Sequence, residues 1–281
     1  MDILRVLMIG DVVGEPGLKA LDACLPRLIK DNSIDLTVVN GENAAEGFGL
    51  SEETLRRILA AGTDVITSGN HVWEKRDFRT FLDSEERILR PANYPCLDGK
   101  SPGRGWIRVR KDTAAENVDA GQAVSVLVIN LQGREFMSAI DCPFRCFDSI
   151  FEAERAFLGA EAHPVVLVDF HAESTREKEA LAYYLDGRAS LVAGTHTHVQ
   201  TADERILPLG TAYITDLGMT GITHSVIGME PKICIERAAR QIMFRMEPAE
   251  IGGDGGNNAV VQGIIAEIDK KTGKAVSIKR L

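Results

Sequence analysis

Leu4-Arg5-Val6-Leu7-Met8-Ile9-Gly10-Asp11 is the first legible element of the chain: a short apolar run, broken only by Arg5, that stops at a glycine and a carboxylate. An apolar run without alternation fits a strand covered on both faces, as in sheets that lie between other layers. Working outward, Leu18, Leu21, Leu25 and Leu28 mark one face of a helix over 18–29. A second strand over 36–39 ends at Asn40-Gly41-Glu42-Asn43. Ser51 stands where it caps a helix running through Ala60, with Leu50 and Leu55 spaced for a hydrophobic staple. A third strand over 65–67 ends at Gly69-Asn70-His71, and a helix comes next near 75–82.

Prolines and glycines between 91 and 105 mark loops ahead of strands over 106–109 and 124–130. Alternation resumes with a strand over 165–170, a helix over 175–185 and a strand over 191–193. Strand-like runs at 213–215, 242–246, 260–268 and 275–278 complete the chain, the last two joined as a hairpin by a polar turn containing Gly273. Strands alternating with helices and then succeeded by more strands predict an α/β fold. The expected form is two sheets with helices outside, in one domain over residues 1–281; a doubly wound sheet is the near alternative. The glycine-rich run at 252–258 lacks the Lys-Ser/Thr that completes a phosphate-binding loop and reads as a mobile connection.

The 281 residues are 44% hydrophobic and 26% charged, the composition of a soluble globular protein with a substantial core. A formal charge of −9 and the lack of a dense Lys/Arg run exclude a protein held on nucleic acid by counterion release, though not an enzyme acting on a small phosphate ester. No secretory pattern opens the chain, and no apolar stretch is long enough for a membrane span. Cys24, Cys96, Cys142, Cys146 and Cys234 are odd in number and scattered, so reduced thiols in or near the core and a cytoplasmic location are expected. Self-association is left open.

Function is indicated by the residues directly after each core strand: Asp11, then Glu42 and Asn43, then Asn70 and His71, then His171, then His196 and His198. In α/β folds ligands gather beyond the carboxyl ends of strands, so residues distant in sequence can meet there. Taken singly, Asp11 reads as a helix cap, Asn70 as a turn residue and Thr195-His196-Thr197-His198 as chance alternation in a polar loop. Together, one Asp, one Glu, one Asn and three His form a mixed oxygen and nitrogen set suited to two divalent ions such as iron, manganese or zinc. Two such ions set against two carboxylates leave a surplus of about two positive charges, the local field a phosphate requires. His163 and His224 are read as loop residues, with His224 a weaker candidate for a substrate mouth.

Gly10-Asp11, Gly69-Asn70-His71, Asp169-Phe170-His171 and Gly194-Thr195-His196-Thr197-His198 resemble the blocks of the calcineurin-like metallophosphoesterase superfamily. More closely, Gly10-Asp11-Val12-Val13-Gly14, Asn40-Gly41-Glu42-Asn43-Ala44, Asp169-Phe170-His171-Ala172-Glu173 and Asp216-Leu217-Gly218-Met219-Thr220-Gly221 resemble its bacterial YmdB-like branch. The similarity runs from about residue 4 to 268 and implies a metallophosphoesterase-like αββα sandwich. It also implies hydrolysis of 2′,3′-cyclic nucleotides to 3′-nucleotides. Val13 replaces a histidine that most of the superfamily carries, and Glu42 stands where an aspartate usually bridges the metals; both departures are shared with the YmdB-like branch. By resemblance, Asp11, Glu42 and His198 hold one metal with Asn43 beside it. Glu42, Asn70, His171 and His196 hold the other, Glu42 bridges, and His71 is the candidate acid. Iron or manganese is expected, with zinc third. Competing readings are a phosphomonoesterase or 3′,5′-cyclic phosphodiesterase on the same site, or a regulator that binds RNA-processing partners.

Overall fold

The computed structural model describes residues 2–97, 101–111, 124–159, 164–250 and 259–281. Strands β1 (Ile3–Ile9), β2 (Asp11–Val12), β3 (Leu36–Asn40) and β4 (Val65–Thr67) alternate with α1 (Gly14–Asp31) and α2 (Glu52–Ala60). A 3-10 turn at Arg76–Thr80 leads into the short α3 (Phe81–Ser84). Next come β5 (Trp106–Lys111), β6 (Val124–Gln132), α4 (Pro143–Leu158), β7 (Val165–His171), α5 (Thr175–Leu185) and β8 (Leu191–Thr195). The C-terminal third holds β9 (Arg205–Ile206), β10 (Ala212–Ile214), β11 (Met219–Ile222), α6 (Pro231–Arg240), β12 (Ala259–Val260), β13 (Gly263–Asp269) and β14 (Ala275–Arg280).

Two large sheets, ordered β14-β13-β1-β3-β4 and β5-β6-β7-β8-β10-β9, face each other; a small sheet β12-β11-β2 lies to the side. The packing explains why β1 is apolar on both faces. Leu4, Val6 and Met8 enter the layer between the sheets with Val126, Val128 and Leu167, while Leu7 and Ile9 pack against Leu18, Leu21 and Leu25 of α1. Across the second sheet, Ile129, Val166 and Val168 meet Phe147 of α4 and Leu181 and Leu185 of α5. Arg5 escapes this rule by pairing at 3.1 Å with Glu267 near the open end of the strand. The layers are therefore helix, sheet, sheet, helix, the αββα sandwich expected.

Pairing aligns the strand ends. β1, β3 and β4 run parallel, as do β6, β7 and β8, so the segments after Ile9, Asn40, Thr67, His171 and Thr195 leave their sheets on one side of the molecule. Ser51 caps α2 reciprocally with Thr54, as its spacing predicts. Three expectations need correction, and two helices went unread. The helix over 75–82 is a 3-10 turn joined to a single α-turn, and its first residue, Lys75, supplies no side-chain cap. Residues 242–246 are apolar at all but Arg245 yet form no strand, and Ile242 and Met243 are exposed. Helices α4 and α6 begin with Pro143 and Pro231 at their first turn, a start signal that hydrophobic periodicity alone did not reveal. All five cysteines are free, but Cys24 and Cys96 are exposed rather than in the core. His163 and the run at 252–258 lie outside the described residues.

Candidate metal centre

The strand ends bring Asp11, Glu42, Asn43, Asn70, His171, His196 and His198 together, with His71 at their edge. Asp11 does not cap α1, whose cap position is Val13 and lacks a side-chain hydrogen bond. At the end of β4, Gly69 is required by space: a Cβ there would fall 2.2 Å from His171 Cδ2 and 2.3 Å from both Glu42 Oε2 and His171 Nε2. His196 and His198 adopt positive φ angles of 101° and 65°, a conformation that costs free energy and persists only when surroundings impose it. Thr197 between them supplies that constraint. Its backbone N–H and hydroxyl both donate to Asp216 Oδ2, at 3.1 and 2.7 Å, and Lys178 Nζ donates to the same oxygen at 2.8 Å.

Two groups are distinguishable within the cluster. In the first, Glu42 Oε1, Asn70 Oδ1 and His196 Nδ1 each lie 3.0 Å from His171 Nε2. The second contains Asp11 Oδ1 with Asn43 Nδ2 at 3.3 Å and His198 Nε2 at 3.7 Å; Asn43 Nδ2 also lies 3.0 Å from His198 Nε2. Glu42 adjoins both, since Asn43 Nδ2 is 3.5 Å from its Oε1.

The hydrogen-bond network assigns the histidine tautomers. Thr195 Oγ1 donates to Asp169 Oδ1 at 2.7 Å, so it accepts from His171 Nδ1–H at 3.0 Å and Nε2 is left to face the cluster. His198 Nδ1–H donates to the Ile227 carbonyl at 2.8 Å, which turns its Nε2 inward. Glu173 Oε2 lies 3.2 Å from His196 Nε2 and fixes that ring with Nδ1 inside. Asp169 is itself buried and also accepts from Thr67 Oγ1 and from Asn40 Nδ2, tying the two sheets together beneath the site.

This crowding sets the electrostatics. Burial opposes ionisation of Glu42, but the His171 charge and hydrogen bond outweigh it and hold the carboxyl down at about 2. Burial likewise opposes the His171 charge, and Glu42 overrides it, raising the ring to about 9. Burial lifts Asp11 to about 6 against the pull of His198 and His171. His196 is pushed down to about 3 by burial and by the neighbouring His171 charge. A single proton on His171 Nε2 satisfies only one of three acceptors at 3.0 Å, whereas a cation satisfies the whole donor set. Glu42, His171 and His196 each offer a ligand atom, all within 4.8 Å of one another. The residues fit a metal.

His71 stands apart. Its backbone N–H donates to Glu42 Oε2 at 3.2 Å, but its ring turns outward, edge-on to Phe48 with centroids 5.0 Å apart. Nδ1 lies 3.3 Å from Glu74 Oε1, which leaves Nε2 for a ligand. His224 is exposed and takes no part in this network. Sequence reasoning missed Glu173, Lys178, Asp216 and the Ile227 carbonyl as supports of the site. Glu173 and Asp216 lie in blocks shared with the YmdB-like branch, which was the available signal; a backbone carbonyl gives none.

An αββα sandwich with histidines, amides and carboxylates gathered where both sheets end defines a protein of the metallophosphoesterase type. The family model described as "YmdB-like protein" matches residues 7–281. The 2′,3′-cyclic-nucleotide 2′-phosphodiesterase of Bacillus subtilis (strain 168) is 42% identical over 278 residues, covering 99% of this chain and 96% of that protein. Among solved structures, a hypothetical protein from Thermus thermophilus is 40% identical with a TM-score of 0.82, covering 99% of this chain and 98% of that one. A novel phosphatase from Mycoplasma pneumoniae is 29% identical with a TM-score of 0.86, covering 100% of this chain and 93% of that one. The chain belongs to the YmdB-like family and is a hydrolytic enzyme.

Proposed function

We propose that this enzyme is a dinuclear metal-dependent phosphodiesterase that opens 2′,3′-cyclic nucleotides to 3′-nucleotides. The observation that carries the reading is the pair of ligand groups joined at one buried carboxylate, Glu42, beside an outward-facing histidine, His71. The activity of the Bacillus subtilis relative, as named, supports the substrate class. Asp11, Glu42 and His198, with Asn43 beside them, would hold one ion; Glu42, Asn70, His171 and His196 would hold the other. Iron or manganese suits the mixed nitrogen and oxygen set, with zinc third. When bound, two such ions neutralise phosphoryl charge and lower the pKa of a nucleophilic water.

The remaining work falls to the chain. Water oxygen bonds to phosphorus, the bond from phosphorus to O2′ breaks, and O2′ must gain a proton to leave as the ribose hydroxyl. His71 Nε2 is assigned that proton, with Glu74 orienting the ring through Nδ1. Thr195 and Asp169 hold His171, and Glu173 holds His196, so that their inner nitrogens do not turn away. One catalytic domain over residues 1–281 is consistent with a core to which β1, β13 and β6 to β8 all contribute. Among the described residues no helix is long and apolar enough to cross a membrane. Five scattered cysteines, odd in number, support a cytoplasmic location. A small nucleotide is its partner; stable nucleic-acid binding is not expected at a net charge of −9.

His71→Ala tests the assignment. It is expected to keep its metals by elemental analysis while losing turnover of 2′,3′-cyclic AMP by about 10²–10⁴. The loss should shrink for a nitrophenyl ester, whose leaving group needs little protonation. A variant that hydrolyses the cyclic nucleotide at the parental rate refutes the acid role; loss of metal makes His71 a ligand instead. Faster turnover of phosphomonoesters than of cyclic diesters by the parent would favour the phosphatase reading that the Mycoplasma pneumoniae relative's name carries.

A further inference from the structure

We infer that the cavity beside His71, walled by Phe48, Phe244 and Met246 and rimmed by Arg237 and Arg245, is the subsite for the substrate's nucleobase. The inference rests on the catalytic reading above and adds a binding site to it.

The chemistry of the leaving group supplies the direction. If His71 protonates O2′, the ribose lies against His71, and the base is carried by C1′, the carbon adjacent to the one that bears O2′. The base therefore emerges on the His71 side of the cluster and within one sugar's width of it. A cavity of about 370 Å³ opens there, with His71 itself in its wall. That volume lies in the range of small-molecule sites, roughly 300–1,000 Å³. A much larger cavity, about 1110 Å³, is lined by Arg90, Trp106 and Cys142 among others and contains none of the candidate catalytic or metal residues.

The wall has the composition that a planar, electron-rich ring requires. Phe48 is fixed edge-on to His71 and, with Met246, packs on the small cluster of Val13, Met219, Met229 and Cys234. Phe244 comes from the segment just beyond α6. Gln241 ends that helix in the left-handed conformation, with φ 57°, and turns the chain back. Arg237 Nη1 then donates to the Phe244 carbonyl at 2.5 Å, holding the segment while the ring remains 36% exposed. Arg237 has no carboxylate partner among the described residues; its other contact is Met243 Sδ at 3.7 Å. Lys75 and Arg245 share one carboxylate, Glu46, at 2.8 and 3.3 Å. Three cations against Glu46 and Glu74 leave the rim positive within an acidic protein. Aromatic faces beside arginine guanidinium groups bind bases by stacking and cation–π attraction, with little demand on base identity.

The test compares equilibrium binding of 3′-AMP and of ribose 3-phosphate, which lacks the base, to metal-loaded protein by calorimetry. Wild-type protein is expected to prefer 3′-AMP by about tenfold or more. Phe244→Ala should bring that ratio toward one, and Phe244→Trp should preserve it. Turnover of 2′,3′-cyclic AMP is monitored alongside. Intact turnover with a wild-type ratio near one overturns the subsite alone. So does a ratio that neither Phe48→Ala nor Phe244→Ala reduces. Wild-type protein inert toward 2′,3′-cyclic AMP removes the catalytic reading, and the subsite with it.

Discussion

At the scale of single residues, Glu42 has the widest consequences. It is buried, its carboxylate reaches His171 and the His71 backbone, and it adjoins Asn43 on the other side. Glu42→Ala removes a charge shared by both proposed ions, so elemental analysis should find both lost together; Glu42→Gln, retaining a ligating oxygen, should lose less. Two retained ions in Glu42→Ala would sink the bridging role. The cluster's members were legible as polar residues after apolar runs, because a strand's end is marked locally by where hydrophobicity stops. Val13 shows the same logic in reverse. It stands where the superfamily commonly has a histidine, and the structure packs it with Met219, Met229 and Cys234, away from any ligand role. The supporting contacts were not legible: Glu173 to His196 and Ile227 to His198 join residues whose distance is fixed by loop paths rather than by spacing.

At the scale of elements, α5 was read over the range that it occupies, yet its pattern conceals its chief contribution. Lys178 is 1% exposed in a helix where a lysine ordinarily marks the solvent face, and it pairs with the fully buried Asp216. Asp216 in turn anchors Thr197 between the two histidines, so the pair ties α5 to the metal loop. Lys178→Met leaves a buried carboxylate unpaired and should destabilise the protein by about 3–5 kcal/mol in denaturant titration. The double variant Lys178→Met with Asp216→Asn should recover much of that loss, because the uncompensated charge is gone; a purely additive double variant would show that the pair does not interact. The strand over 242–246 failed for a related reason, and the helix over 75–82 formed only as a 3-10 turn followed by one α-turn. Periodicity reports which residues are apolar, but a strand also needs an edge to pair with and a helix needs its first N–H groups satisfied.

Across the whole molecule, the centre lies at the seam between two sheets that do not hydrogen-bond to one another as strands. Asp169 of β7 closes that seam by accepting from Thr67 and Asn40 of one sheet and Thr195 of the other. Burial raises its pKa, and the three donors oppose the rise. Metal-free protein should depend on pH through His171. Its ring is raised from an ordinary 6.5 to about 9, so the stability it contributes is complete below 6.5 and is lost as pH rises through 9. Glu42, held at about 2, contributes above its ordinary 4.5 and loses that only in strong acid. The melting temperature of chelated protein should therefore fall by several degrees between pH 6.5 and 9. Restoring metal should remove the fall, since a coordinated ring carries no proton at that nitrogen to lose. A flat profile in the chelated protein would mean that Glu42 and His171 form no ion pair. The sequence by itself determined the strand cores, the α/β class and the set of polar residues at the strand ends, because burial on both faces and its interruption are written in neighbouring residues; the choice of two facing sheets over one doubly wound sheet rested on the resemblance until the structure showed it. Only the tertiary structure decided which of those residues meet, which nitrogen each histidine turns inward and which aromatic rings wall the cavity beside His71. Those outcomes depend on sheet order and on contacts between residues more than a hundred positions apart, such as Asn70 with His171 and Asn43 with His198, and no local pattern encodes them.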